Sequence, residues 1–155
     1  MAPGGPVRHP GIDRGIAWLS DRGFEVDVGA TVTAARVGYL AADDAARARD
    51  LKRLVADPAI AAIWFARGGY GSARIVGTID FGALRRRPKA LIGYSDITVL
   101  QIAAWKQAGL VTYQGPLVGE LGDPEAFDES ALWRVVGPDD GGPIEFHFDR
   151  ATVVR

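Results

Sequence analysis

Three apolar runs, separated by stretches of helical spacing, predict an α/β domain on a mostly parallel sheet with helices on both faces. Ile60 to Phe65 is continuous and bounded by turn residues, as expected of a parallel strand buried on both sides. Lys89 to Ile92 and Leu110 to Tyr113 repeat the signal. Apolar residues at i, i+3 or i+4 and i+7 fill the intervals.

In chain order, Met1 to Pro10 is rich in Gly and Pro and reads as a loop. Ile12, Ile16 and Leu19 share one helical face, so Asp13 to Arg22 is a helix ending at Gly23. Phe24 to Val28 alternates apolar and acidic residues and predicts a short strand. Asp43 caps a helix running to about Ala56, with Ala48, Leu51 and Val55 on its buried face and Pro58 as its stop. After the first buried strand, Ser72 to Val76 and Phe81 to Arg86 read as helical turns. Ile97, Leu100, Ala104 and Ala108 define a helix that Gly109 ends. A further helix covers Pro124 to Val135. Ile144, Phe146 and Phe148 alternate with polar residues, and Thr152 to Val154 could pair with them as short antiparallel strands near the C-terminus. The chain opens on a loop and helix where such architectures usually open on a strand. It ends directly after a strand-like run, so both ends look cut.

The 155 residues fit one domain with a real core. A net charge of −1 gives no electrostatic case for nucleic acid or an anionic membrane. The absence of cysteine excludes disulfides, thiolate nucleophiles and Cys-ligated zinc. No apolar run is long enough to span a bilayer and no signal peptide is legible, so cytoplasmic residence is the expectation.

The most informative stretch is Gly93-Tyr94-Ser95-Asp96-Ile97-Thr98, between a strand and a helix. Open α/β sheets bind ligands at this carboxyl edge, where new helix amides point outward. Ser95 has two readings. It is a nucleophile with the Asp96 amide as oxyanion donor, or it is a helix N-cap. The α/β-hydrolase G-x-S-x-G elbow is not present, because Ile97 stands at the second glycine. The loop Arg67-Gly68-Gly69-Tyr70-Gly71 follows the preceding strand. It lacks the Lys-Ser/Thr pair of a P-loop and reads as a ligand-facing loop or as a turn with a packed tyrosine. The order of strands puts it on the same sheet edge as Ser95. Of the two histidines, His9 falls in a loop and His147 on the polar face of a strand, a remote choice for a triad base. They make no metal motif. Arg85 to Arg87 read as a solvated helix end, and Asp123, Asp128, Asp139 and Asp140 as turn or helix-start residues.

These residues together resemble the N-terminal domain of the LD-carboxypeptidase family, serine peptidases that include muramoyltetrapeptide carboxypeptidases and microcin C immunity proteins. The matching pieces are Ala2-Pro3-Gly4-Gly5-Pro6-Val7, Gly23-Phe24-Glu25-Val26, Gly38-Tyr39-Leu40-Ala41 and Arg47. They continue with Arg67 to Gly71, Pro88-Lys89, Gly93 to Thr98 and Gly115-Pro116. The resemblance implies a Rossmann-like domain in which Ser95 is the nucleophile of a Ser-His-Glu triad. Backbone amides near Gly69 and at Asp96 then form the oxyanion hole, and Gly68, Tyr70 and Gly71 contact substrate. The family takes its glutamate and histidine from a C-terminal domain, so 1–155 is read as the nucleophile-bearing domain without that domain and without a first strand. It is expected to be inactive alone. Gln114 departs from the histidine often found before Gly-Pro, which puts local packing or substrate contacts in question. No metal or organic cofactor is implied. The implied partners are a murein tetrapeptide losing its terminal D-alanine, the C-terminal domain and, through apolar surface left bare, a second copy as a homodimer. Alternatives are an immunity-type peptidase acting on peptidyl-nucleotides, a non-catalytic binding module for a peptide or nucleotide, and a self-sufficient hydrolase using His147.

Overall fold

The computed structural model describes residues 1–7 and 9–137. Three parallel strands, β1 (Ala62–Trp64), β2 (Ala90–Gly93) and β3 (Tyr113–Gln114), lie in that order in one sheet. Ile63 pairs with Leu91 and Ile92 with Tyr113. Pairing continues past the strand ends, where the Phe65 amide donates to Ile92 O at 3.0 Å and the Ala90 amide to Ala61 O at 3.1 Å.

Five helices surround the sheet: α1 (His9–Ser20), α2 (Asp44–Ala56), α3 (Phe81–Arg86), α4 (Thr98–Ala108) and α5 (Glu129–Val136). Asp43, Asp80 and Asp128 cap α2, α3 and α5, each accepting the amide three residues on. Gly109, in the left-handed region at φ 68°, closes α4. Side-chain alternation along β1 feeds two cores. Ile63 and Phe65 join Leu91 and the apolar faces of α2, α3 and α4. Trp64 and Ala66 join α1, α5 and Val118. Helices therefore cover both faces of the parallel sheet, as the apolar runs predicted. None of the described helices is long and apolar enough to cross a membrane.

The structure departs from the sequence reading in four places. Phe24 to Val28 belongs to no strand and forms no ladder. The reason is local: an apolar slot of about 410 Å³ separates this segment from β1, so its backbone has no strand to meet. Of Leu110 to Tyr113 only Tyr113 enters the sheet, because the Leu110 amide is taken by Ala104 O at the end of α4. The last helix begins at Glu129 rather than Pro124, since Asp128 supplies its cap. His9 opens α1 rather than lying in a loop. The predicted antiparallel pair, with His147, Asp139 and Asp140, lies outside the described residues.

Candidate active site

Gly93 leaves β2 at φ 156°, Tyr94 is extended, and Ser95 turns back at φ 65°. Ser95 is the one non-glycine with positive φ among the described residues. An L-residue held there costs about 1–2 kcal/mol, which a simple cap would not require. A single 3₁₀ turn (Ser95–Ile97) follows and leads into α4. Neither this turn nor α4 has a side-chain cap. Ser95 is exposed and its hydroxyl does not close the helix, so the N-cap reading fails on geometry.

The glycine loop meets this turn. A β-carbon on Gly68 would stand 3.3 Å from Ser95 Cβ and 3.5 Å from the Asp96 nitrogen. Only a residue without a side chain leaves space there. Among the described residues, no acceptor pairs with the Asp96 amide. Gly69 adopts φ 101°, packed so closely on Gly5 that a β-carbon would lie 2.9 Å from the Gly5 nitrogen. The Gly5 amide in turn donates to Gly68 O at 2.8 Å. Tyr70 is 72% exposed, with its ring centroid 5.9 Å from that of Tyr39. Gly5, Pro6, Tyr39, Arg67, Gly69 and Tyr70 line an open cleft of about 510 Å³ beside the turn. Gly71 does not face this cleft. It is buried, and a β-carbon there would meet Leu40 Cδ2 at 2.5 Å, so its part is packing rather than ligand contact.

Three carboxylates and one cation hold the arrangement. Asp96 Oδ2 accepts the Ser72 amide at 2.9 Å, fixing the nucleophile turn to the end of the glycine loop. Arg47 is fully buried and donates to Ala42 O, Gly71 O and Pro3 O, with Asp44 as its charge partner. It thereby ties the N-terminal loop, the loop before α2 and the glycine loop together. The sequence reading quoted Arg47 only as part of a motif; an arginine preceded by Asp43-Asp44 on a helix gives no sign that it will be wholly buried. Tyr94 donates to Glu120 Oε1 at 2.6 Å, and this bond to a carboxylate pushes its phenol above the usual range. The other Glu120 oxygen accepts the Leu117 amide, so Tyr94 is held from the third strand's side of the cleft. Gln114 donates to Thr98 Oγ1 and to Gln101 Oε1, and the buried Gln101 donates to Gly93 O and Tyr113 O. Gln114 thus acts on the packing of the strand ends behind Ser95. Among the described residues no cluster of His, Cys, Asp or Glu could hold a metal ion.

Residues 1–115 match the family model described as the LD-carboxypeptidase N-terminal domain. A probable murein peptide carboxypeptidase of Bacillus subtilis (strain 168) is 37% identical over 118 residues, 76% of this chain and 37% of its own length. The microcin C7 self-immunity protein MccF of Escherichia coli is 32% identical over 111 residues, covering 71% of this chain and 32% of that protein. The crystal structure of muramoyltetrapeptide carboxypeptidase from Oxalobacter formigenes superposes with a TM-score of 0.73 at 28% identity, over 87% of this chain and 45% of that one. The chain spans less than half the length of each of these relatives.

Proposed function

Because this chain belongs to the LD-carboxypeptidase family, we propose that it carries the nucleophile half of a serine carboxypeptidase site. Ser95 Oγ attacks the carbonyl of an amide between an L-centre and a terminal D-residue. The tetrahedral oxyanion is held by the Gly69 and Asp96 amides. The histidine that takes the hydroxyl proton, and the glutamate that orients it, come from a C-terminal domain of the kind the family has. The residues described here are therefore necessary and not sufficient. The substrate is a murein tetrapeptide losing D-alanine in the cytoplasm, with Gly68 and Tyr70 against the peptide. The observation that carries the reading is the left-handed Ser95 on a strand-to-helix turn, 3.3 Å from the space above Gly68. Backbone strain at an exposed serine beside a glycine loop supports a nucleophile better than a binding module.

Covalent labelling tests this directly. The chain is mixed with a separately made C-terminal domain of the family and treated with a fluorophosphonate, then mapped by peptide mass spectrometry. An adduct on Ser95, lost in Ser95→Ala, is the expected result. An adduct on another serine, or equal labelling of Ser95→Ala, would overturn the assignment. Running a murein tetrapeptide and a peptidyl-nucleotide as competitors of labelling assigns the substrate class, since one similar solved structure is MccF in complex with aspartyl sulfamoyl adenosine.

A further inference from the structure

Arg67 is the cation of the open cleft beside Ser95. It is half-buried, and its Nη1 donates to Pro6 O at 2.7 Å. Among the described residues it forms no ion pair. Every other described arginine is exposed except Arg47, and Arg47 has Asp44 as its charge partner. A guanidinium presents a fork of N–H donors, and here the described residues engage only the Nη1 arm. A charge taken partly out of water costs free energy that an anion offsets. None of the other residues lining the cleft is acidic.

A glycine keeps the space in front of this fork. A β-carbon on Gly5 would stand 3.6 Å from Arg67 Nε, 3.7 Å from Gly69 Cα and 3.5 Å from Gly68 O. These are ordinary contact distances, so a methyl group fits at Gly5 without a clash. It would, however, cover the Nε edge of the guanidinium. With glycine there, that edge stays open to the cleft.

We propose that Arg67 is the receptor for the free α-carboxylate of the leaving residue, and thereby the group that restricts cleavage to the last amide of a peptide. The inference rests on the reading of Ser95 as the nucleophile of a carboxypeptidase. In such a substrate only the amide nitrogen and one Cα separate the scissile carbonyl from the terminal carboxylate, a distance of about 3–4 Å. The receptor must therefore flank the oxyanion hole. Arg67 is followed directly by Gly68, where a β-carbon would stand 3.3 Å from Ser95 Cβ, and then by Gly69, the oxyanion donor of the proposed reaction. The planar guanidinium fork matches both oxygens of a carboxylate, which an ammonium does not. A peptide that continues past this position presents a neutral amide and leaves the Arg67 charge uncompensated. The exposed rings of Tyr39 and Tyr70 give the same cleft apolar walls for the leaving residue's side chain.

The test titrates the full chain, isotopically labelled, with Nα-acetyl-L-lysyl-D-alanine, with the C-terminal carboxamide of the same dipeptide, and with acetate. NMR follows the Arg67 Nε–H and the Gly69 amide. The free acid should shift both signals saturably, and the carboxamide should bind at least about tenfold more weakly, because it offers no charged acceptor. Acetate should also bind more weakly, since it has no residue for the rest of the cleft to hold. Read at the Gly69 amide, Arg67→Gln should lose about 10–100-fold in affinity for the acid. Arg67→Lys, which keeps the charge without the fork, and Gly5→Ala, which covers the Nε edge, should each weaken binding. Equal affinity of the unaltered chain for acid and carboxamide, or for acid and acetate, would overturn the receptor. So would the absence of a saturable shift with the acid, or undiminished acid binding by Arg67→Gln. None of these readouts needs turnover. Fluorophosphonate labelling of Ser95 in the presence of the C-terminal domain reports on the nucleophile separately, so a lost carboxylate preference with labelling intact counts against Arg67 alone.

Discussion

Ser95 shows how one backbone angle separates two chemistries that the sequence left open. A capping serine sits in extended backbone and bonds an amide ahead of it. Ser95 is left-handed, exposed and uncapped. Replacing it with glycine should therefore stabilise the fold, by about 1 kcal/mol, while deleting the hydroxyl. Urea unfolding of the wild-type chain and Ser95→Gly checks this, and a loss of stability would contradict the strained-turn account. Met1 gives a second residue-scale prediction. Burial lowers its ammonium from 8.0 to about 6, opposed by Asp50 and Asp27, with Arg53 adding to the lowering. Between those values the unfolded chain holds a proton that the folded chain has released. Stability should thus be greater at pH 8 and fall towards pH 6, by roughly 2–3 kcal/mol in full. An N-acetylated chain should lack this component, and the difference between the two forms cancels the histidines. Parallel urea titrations at pH 6, 7 and 8 measure it; a constant difference would refute the buried charge.

Elements were legible where their signals are local. Asp43 capping α2 and Gly109 closing α4 needed only neighbouring residues, and the apolar runs of β1 and β2 fell close to where they were expected. Phe24 to Val28 failed because alternation specifies a strand only if another strand pairs with it. Arg47 failed for the same reason in side-chain form. Its partners lie at Pro3, Ala42 and Gly71, and nothing within α2 announces them. Its removal should cost about 3–5 kcal/mol, because three carbonyls lose their donor inside the core. Arg47→Met keeps the volume and should show that loss in chemical denaturation. A change below 1 kcal/mol would mean that the three loops are held by other contacts.

At the scale of the molecule, the sequence carried the parallel sheet, its two helical layers and the meeting of Ser95 with the glycine loop at one edge. It did not carry the slot beside β1, which depends on how far β1 and the segment from Phe24 to Gly29 come to rest from each other. Among the described residues, α4 leaves one apolar face exposed. Val99, Ile102 and Trp105 of α4 are exposed, Trp105 by 65%. A patch of this kind should drive self-association, so Trp105→Glu with Ile102→Lys should shift the chain towards monomer in sedimentation velocity. An unchanged distribution would exclude α4 as the contact. The central claim is that Ser95 is the nucleophile of a divided site, and D-alanine release from a murein tetrapeptide tests it most directly. The chain alone should release D-alanine at no more than a residual rate, since a serine without its base is a poor nucleophile. Adding a C-terminal domain of the family should restore release, and Ser95→Ala in the same mixture should abolish it. Full release by the isolated chain, or undiminished release by Ser95→Ala in the mixture, would contradict the account.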